Sequence, residues 1–212
     1  MTPLQFITHQ NENHSYLEGA ELALQGGCRW IQLRMKPASA DEWLTVGRKL
    51  RQLCHRHGAT FIIDDRVELV ETLGADGVHL GQEDMPIPRA RQLLGADKII
   101  GGTANTLEQI RVLHRQGVDY IGCGPYRYTA TKERLAPTIG LLGYERLMIY
   151  MAEEEITTPL YAIGGILRAD VRELMQSGID GIAVSGAILN ADNPVTETQL
   201  IINEIAKHGE EI

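Results

Sequence analysis

A recurring unit constrains this chain more than any other feature: a glycine, a small or apolar residue, an aspartate, then a β-rich run. It appears at Gly74-Ala75-Asp76-Gly77-Val78, Gly95-Ala96-Asp97-Lys98-Ile99, Gly117-Val118-Asp119-Tyr120-Ile121 and Gly178-Ile179-Asp180-Gly181-Ile182. Looser copies stand at Gly27-Cys28-Arg29-Trp30-Ile31 and Gly58-Ala59-Thr60-Phe61-Ile62. Each glycine follows a stretch of helical periodicity, such as Val67, Val70 and Leu73. A glycine so placed reads as the left-handed residue that ends a helix before a short turn into a strand. The repeat is thus a helix-to-strand junction. It predicts strands over 4–8, 30–34, 61–64, 78–81, 99–103, 120–124, 160–164 and 182–185. Most of these are short, β-branched and apolar on consecutive positions, as parallel strands covered on both faces are. Helix-compatible spacing fills 15–25, 40–57, 66–73, 87–94, 107–116, 144–153, 169–176 and 196–207. Eight βα units predict one closed (β/α)8 barrel of the TIM class over 1–212, with an open doubly wound sheet as the alternative.

Composition narrows the function. A formal net charge of −8 argues against binding nucleic acid or an anionic membrane through the overall field, so an anionic ligand must meet a local cluster of positive charge. Cys28, Cys54 and Cys123 are odd in number and form no C-x-x-C pair, which suggests neither a disulfide framework nor a structural zinc site and fits a reducing cytoplasm. The first ten residues carry no basic segment followed by an apolar run, and no stretch has the length of a membrane-spanning helix. Small molecules are the expected partners. A homodimer is compatible with the sequence and does not follow from it.

In barrels of this class the active site lies in the loops that follow strands, whereas the loops that precede strands serve stability. Asp76, Asp97, Asp119 and Asp180 precede strands and read as turn or cap residues. The residues that follow strands are Arg34 and Lys36, Asp64 and Asp65, Gln82 and Asp84, Thr103 and Asn105, Thr129, Thr131 and Lys132, Gly164 and Gly165, and Ser185. Taken singly, Asp65 could be no more than a helix cap, as could Thr106 or Asp170. Taken together, the set supplies cations, hard-oxygen metal ligands and two glycine-rich phosphate sites at one mouth. Ile163-Gly164-Gly165-Ile166 and Val184-Ser185-Gly186-Ala187 occupy the usual phosphate cradle after strands seven and eight. Asp65 and Asp84 match the one or two protein carboxylates that magnesium takes, although two carboxylates could equally act as acid and base or cap helices. The long connection over 124–143 has a length that is usually functional or disordered. Its Thr129, Thr131 and Lys132 suit an anionic ligand.

At this point the chain resembles the thiamine-phosphate synthase family across nearly its whole length. Six motifs carry the likeness, in order: Gln32-Leu33-Arg34-Met35-Lys36; Ile63-Asp64-Asp65-Arg66-Val67; Asp76-Gly77-Val78-His79-Leu80-Gly81-Gln82-Glu83-Asp84; Gly122-Cys123-Gly124-Pro125 leading to Thr129-Ala130-Thr131-Lys132; Ala162-Ile163-Gly164-Gly165-Ile166; and Val184-Ser185. The resemblance implies that Gln32, Leu33, Arg34, Met35, Lys36, Asp64, Thr103 and Lys132 surround a hydroxymethylpyrimidine diphosphate. It implies that Asp65 and Asp84 hold one magnesium ion against that diphosphate. Thr129, Ala130, Thr131, Gly165, Val184 and Ser185 would receive a thiazole phosphate. The implied reaction is dissociative: pyrophosphate departs, leaving a pyrimidine-stabilised methylene cation that the thiazole nitrogen captures. Arg34, Lys36 and Lys132 would then serve as preorganised electrostatic stabilisers, with no protein nucleophile. His79 is expected to be a hydrogen-bonded barrel residue rather than a base.

This sequence departs from the family pattern at several places. Asp64 stands where asparagine is more usual, Met35 where an acidic residue is common, Thr103-Ala104-Asn105 in place of a serine-containing turn, and Gly186 follows Ser185 where alanine often does. Two rival readings share the fold. A thiazole tautomerase would need only the thiazole phosphate half, and a non-catalytic barrel would bind thiamine precursors without turnover. Neither needs the Gln-x-Arg-x-Lys run, two metal carboxylates and Lys132 together. Another phosphate-binding barrel, of amino-acid biosynthesis, would turn over without releasing pyrophosphate.

Overall fold

The structure, a computed structural model, describes residues 1–36, 38–128 and 137–210. Eight parallel strands close into a barrel in sequence order. The chain runs β1 (Leu4–Ile7), α1 (Tyr16–Gln25), β2 (Trp30–Leu33), α2 (Ala40–Arg56), β3 (Thr60–Asp64), α3 (Val70–Leu73), β4 (Gly77–Leu80), α4 (Ile87–Leu94) and β5 (Ile99–Ala104). It continues through α5 (Leu107–Arg115), β6 (Tyr120–Cys123), α6 (Gly140–Glu153), β7 (Leu160–Ile163), α7 (Val171–Gln176), β8 (Gly181–Val184), α8 (Gly186–Leu189) and α9 (Pro194–Glu210). Every strand boundary lies within one residue of its sequence expectation. The helices expected over 66–73 and 169–176 each open with a short 3-10 turn, at Val67–Leu69 and Arg168–Asp170. α6 begins earlier than expected, and the four-residue α8 carried no sequence signal of its own. Among the described residues no helix is long and apolar enough to cross a membrane.

The repeated aspartates explain how neighbouring strands are staggered. The Asp76 carboxylate accepts from the Phe61 N–H at 2.7 Å while the Asp76 N–H donates to the Phe61 carbonyl at 2.8 Å. Asp119 does the same with Ile100, and Asp180 accepts from Leu160 N–H at 2.7 Å. Each therefore ties the start of an even strand to the odd strand before it, satisfying a backbone donor at the barrel floor that would otherwise be lost. Asp97 shares the sequence pattern but is exposed and makes no such bond among the described residues. The six repeat glycines all have positive φ, from 60° to 101°. Gly95 nonetheless has ψ −174° and so leaves α4 extended rather than in the left-handed helical well.

Two apolar layers form. The larger lies between strands and helices and includes Phe6, Ile31, Leu33, Phe61, Ile63, Val78, Ile121, Ile182 and Val184. The smaller fills the barrel lumen at its floor, where Trp30 packs edge-on against Tyr120 at 4.7 Å and Tyr161 at 5.0 Å between centroids, with Ile62 beside them. Strand alternation then carries the same inward rows upward into polar side chains: Trp30 to Gln32, Ile62 to Asp64, Ile99 to Thr103. The lumen is aromatic below and polar at the mouth.

Cys28, Cys54 and Cys123 are free and buried. Burial raises their thiols to about 11, 12 and 12 respectively. Because the thiolate is the reactive species, the native protein should release almost no colour with a disulfide thiol reagent at neutral pH and react fully only in denaturant. Rapid native labelling at any of the three would contradict this packing.

Candidate active site

The inward row of β2 leads to the mouth. The Gln32 amide donates to Asp64 Oδ1 at 2.7 Å, and Arg34 Nε lies 3.4 Å from Asp64 Oδ2. The main chain of Arg34 is fixed by one hydroxyl: its N–H donates to Thr8 Oγ1 at 2.9 Å, and that hydroxyl donates to the Arg34 carbonyl at 3.2 Å. Asp64, 7% exposed, thus sits between an amide and a guanidinium. Gln32 Oε1 is buried without a hydrogen-bond partner among the described residues. Such an orphaned acceptor beside the mouth is a place for a ligand N–H. Leu33 and Met35, the alternate residues of the run, are buried in the strand–helix core, as is Val184. Those three positions can offer a ligand only main-chain groups.

Asp65 follows β3 with φ 64°, a conformation a non-glycine residue seldom adopts outside functional turns. That turn lets its N–H donate to the His79 carbonyl at 2.9 Å and brings its carboxylate to Lys36 Nζ at 2.9 Å and to Asp84. Asp84 is itself held by the Gly81 N–H at 2.7 Å; a side chain at Gly81 would stand 2.8 Å from the same oxygen. Burial alone would raise the Asp65 carboxyl, but hydrogen bonds from Asp84 and Lys36 outweigh it and hold Asp65 below the ordinary carboxylate range. Burial and the neighbouring Asp65 carboxylate push Asp84 above it. The Lys36 ammonium loses by burial and gains more from Asp65, so it stays protonated more firmly than an ordinary lysine. Two carboxylates in such contact repel each other when both are ionised, which makes them a donor pair for a hard cation. Among the described residues no three His, Cys, Asp or Glu side chains converge as a metal cluster, so such an ion would draw its remaining oxygens from elsewhere.

On the opposite wall, Thr103 Oγ1 lies 2.8 Å from His79 Nε2, and His79 Nδ1 lies 2.9 Å from the Tyr120 hydroxyl. The Gln82 amide donates to the Thr103 carbonyl. The Asn105 amide donates to the Gly124 carbonyl and so ties the β5 exit to the start of the long loop. That loop leaves β6 alongside β7: the Tyr126 N–H donates to the Ile163 carbonyl at 2.8 Å and the Arg127 N–H to the Gly164 carbonyl at 3.1 Å. Gly165 is covered so closely that a Cβ would stand 2.5 Å from Arg127 Cγ. The Arg127 guanidinium is anchored on Asp170 at 2.6 Å and lies over the Tyr126 ring at 4.9 Å. After β8, Ser185 leads into α8 with its hydroxyl buried and without a partner among the described residues. Thr129, Ala130, Thr131 and Lys132 lie outside the described residues.

The mouth therefore gathers Gln32, Arg34, Lys36, Asp64, Asp65, Asp84, Thr103, Gly165 and Ser185, each reached through a strand end. Sequence reading passed over Thr8, His9 and Arg127. Burial, and then the Arg34 charge, hold the His9 imidazole below its ordinary value. Its position just past β1, at a strand exit like the others, was the available signal.

The family model described as thiamine monophosphate synthase matches residues 4–188. A thiamine-phosphate synthase of Bacteroides fragilis is 54% identical over 203 residues, covering 96% of this chain and 100% of that protein. One from Flavobacterium johnsoniae is 44% identical over 202 residues, covering 95% and 93%. The solved thiamine phosphate pyrophosphorylase of Pyrococcus furiosus superposes with a TM-score of 0.85 at 35% identity, covering 97% and 96%. With a closed eight-stranded barrel, the ordered motifs at its mouth and these full-length matches, the chain belongs to the thiamine-phosphate synthase family.

Proposed function

We infer that this protein joins 4-amino-2-methyl-5-hydroxymethylpyrimidine diphosphate to 4-methyl-5-hydroxyethylthiazole phosphate, yielding thiamine phosphate and pyrophosphate. The observation that carries the reading is the Asp65–Asp84 pair flanked by Lys36 and Arg34, an arrangement suited to a cation and a polyphosphate together. In the reaction the bond between the pyrimidine methylene and the diphosphate oxygen breaks, its electron pair leaving with pyrophosphate. The thiazole ring nitrogen then supplies the pair for the new C–N bond. Negative charge grows on the leaving group, so fixed cations there lower the barrier without reorganising.

Arg34, Lys36 and Lys132 hold the diphosphate and take up that charge. Gln32 offers its unpaired carbonyl to the pyrimidine amino group, next to Asp64, and Thr103 lies across from them. Gly165 and the buried Ser185 hydroxyl, with 129–131, receive the thiazole phosphate, for which Gly165 offers its main-chain N–H. Asp65 and Asp84 would hold one magnesium ion, whose charge would further neutralise the departing diphosphate. Free, buried thiols are in keeping with work in a reducing cytoplasm.

The experiment is pyrophosphate release by the purified protein, with each substrate and magnesium omitted in turn. Release that needs all three and yields thiamine phosphate supports the reading. Tight binding of thiazole phosphate without pyrophosphate release would move the assignment to a tautomerase or a binding protein. Asp84→Asn keeps an oxygen for the Gly81 N–H but removes one of two anionic ligands. It should raise the magnesium concentration for half-maximal activity roughly tenfold or more, with the unfolding midpoint little changed. An unaltered magnesium dependence would sink the metal role of Asp84.

A further inference from the structure

Below the mouth, a file of polar groups crosses the lumen and ends at Thr103. Gln5 Nε2 lies 3.3 Å from the Tyr120 hydroxyl, that hydroxyl 2.9 Å from His79 Nδ1, and His79 Nε2 2.8 Å from Thr103 Oγ1. Gln5, Tyr120 and His79 are 2%, 0% and 6% exposed, whereas Thr103 is half-buried and borders the mouth. The lumen is cleared for this file: a Cβ at Gly101 would stand 2.2 Å from Tyr120 Cζ and 2.6 Å from His79 Nδ1, and one at Gly122 3.1 Å from His79 Cε1. Two adjacent strands thus give up their inward side chains so that one imidazole and one phenol can meet.

One tautomer gives the file a direction. An amide nitrogen only donates, so the Tyr120 oxygen accepts from Gln5, and its single hydrogen is available for His79 Nδ1. With Nδ1 as acceptor the imidazole carries its hydrogen on Nε2, facing Thr103 Oγ1. In that tautomer the Thr103 hydroxyl accepts from His79 and keeps its own hydrogen for the mouth. We propose that His79 is a positioning residue: backed by Tyr120 and Gln5, it sets the Thr103 hydroxyl as a hydrogen-bond donor toward an oxygen or ring nitrogen of the pyrimidine diphosphate. The proposal rests on the reading that Thr103 touches that substrate. In this chain threonine keeps the hydroxyl, and its Gln82-held carbonyl fixes the main chain behind it.

The test is a double-mutant cycle with a spectroscopic check. Thr103→Ala, His79→Leu and Tyr120→Phe are each assayed at saturating thiazole phosphate, and both single relay variants are repeated in the Thr103→Ala background. Each single variant should lower kcat/KM for the pyrimidine diphosphate about tenfold, the worth of one oriented hydrogen bond, while the KM for thiazole phosphate stays unchanged. In the Thr103→Ala background His79→Leu and Tyr120→Phe should cost nothing further, because they act through the hydroxyl that is gone. Nitrogen NMR of the full-length protein should show His79 with its hydrogen on Nε2. Equal cost in both backgrounds, or a hydrogen on Nδ1, would overturn the proposal while leaving Thr103 as a contact. An inert Thr103→Ala would instead overturn the reading of Thr103 itself, and the proposal with it. Tyr120→Phe keeps the ring that packs on Trp30 and Tyr161, so it reports the relay even if His79→Leu fails to fold.

Discussion

Alanine at Arg34 should lower turnover by about a hundred- to a thousandfold, the usual cost of losing one preorganised group from a charge-developing transition state. Its guanidinium is already in place before substrate arrives: the Thr8 hydroxyl brackets its main chain and Asp64 holds Nε at 3.4 Å. A cation held this way spends little on ordering itself as the diphosphate leaves. The same pairing creates a confounding effect, because Arg34→Ala removes the guanidinium that faces the buried Asp64, and a buried carboxylate that loses a facing cation weakens the fold and repels a diphosphate. The double variant Arg34→Ala with Asp64→Asn separates the two. It should regain stability in urea but not turnover. Arg34→Lys should recover only part of the rate, since an ammonium restores the charge without the planar fork. Pyrophosphate release within tenfold of the parent in Arg34→Ala would remove Arg34 from the chemistry. Lys132→Ala should cost about as much as Arg34→Ala by the same reasoning, and its role rests on its charge and its place in the family motif.

The barrel was legible because it is written in local terms: a helix-ending glycine, a turn, and a short β-branched run, repeated at intervals that only one closed topology uses. The strand exits were legible for the same reason, so Arg34, Lys36, Asp65, Asp84 and Ser185 could be assigned to the barrel mouth without knowing where any of them pointed. Side-chain direction was harder. The Gln32–Lys36 run reads as one block, yet strand alternation sends Leu33 and Met35 into the core and leaves Gln32 and Arg34 at Asp64. Of the file from Gln5 through Tyr120 and His79 to Thr103, only the hydrogen-bonded place of His79 in the barrel was legible; its partners lie on β1, β6 and β5 and meet it only after closure sets the register. The aspartates show the opposite failure. Asp97 looks like Asp76, Asp119 and Asp180, but the clamp falls on even strands only, a pairing of strands that no single copy of the repeat reveals.

The same repeat hides two kinds of glycine, and the second kind should give the largest loss of stability. In Gly77→Ala the new Cβ would stand 2.0 Å from the Ile99 carbonyl oxygen and 2.7 Å from Ile99 Cβ. Gly77 and Ile99 are register partners of β4 and β5, so the obstacle is main chain that cannot rotate away. Relief requires parting two strands of a closed barrel, and we expect a loss of about 3 kcal/mol or more. Gly117→Ala is the contrast: no atom lies within 4 Å of its Cβ, and its cost is only that of φ 71°, about 1 kcal/mol. Urea unfolding of the two variants should therefore give well-separated midpoints, with Gly77→Ala much the lower. Equal midpoints would mean that β4 and β5 do not approach as closely as the barrel requires, and the placement of His79 and Asp84 beyond them would lose its foundation.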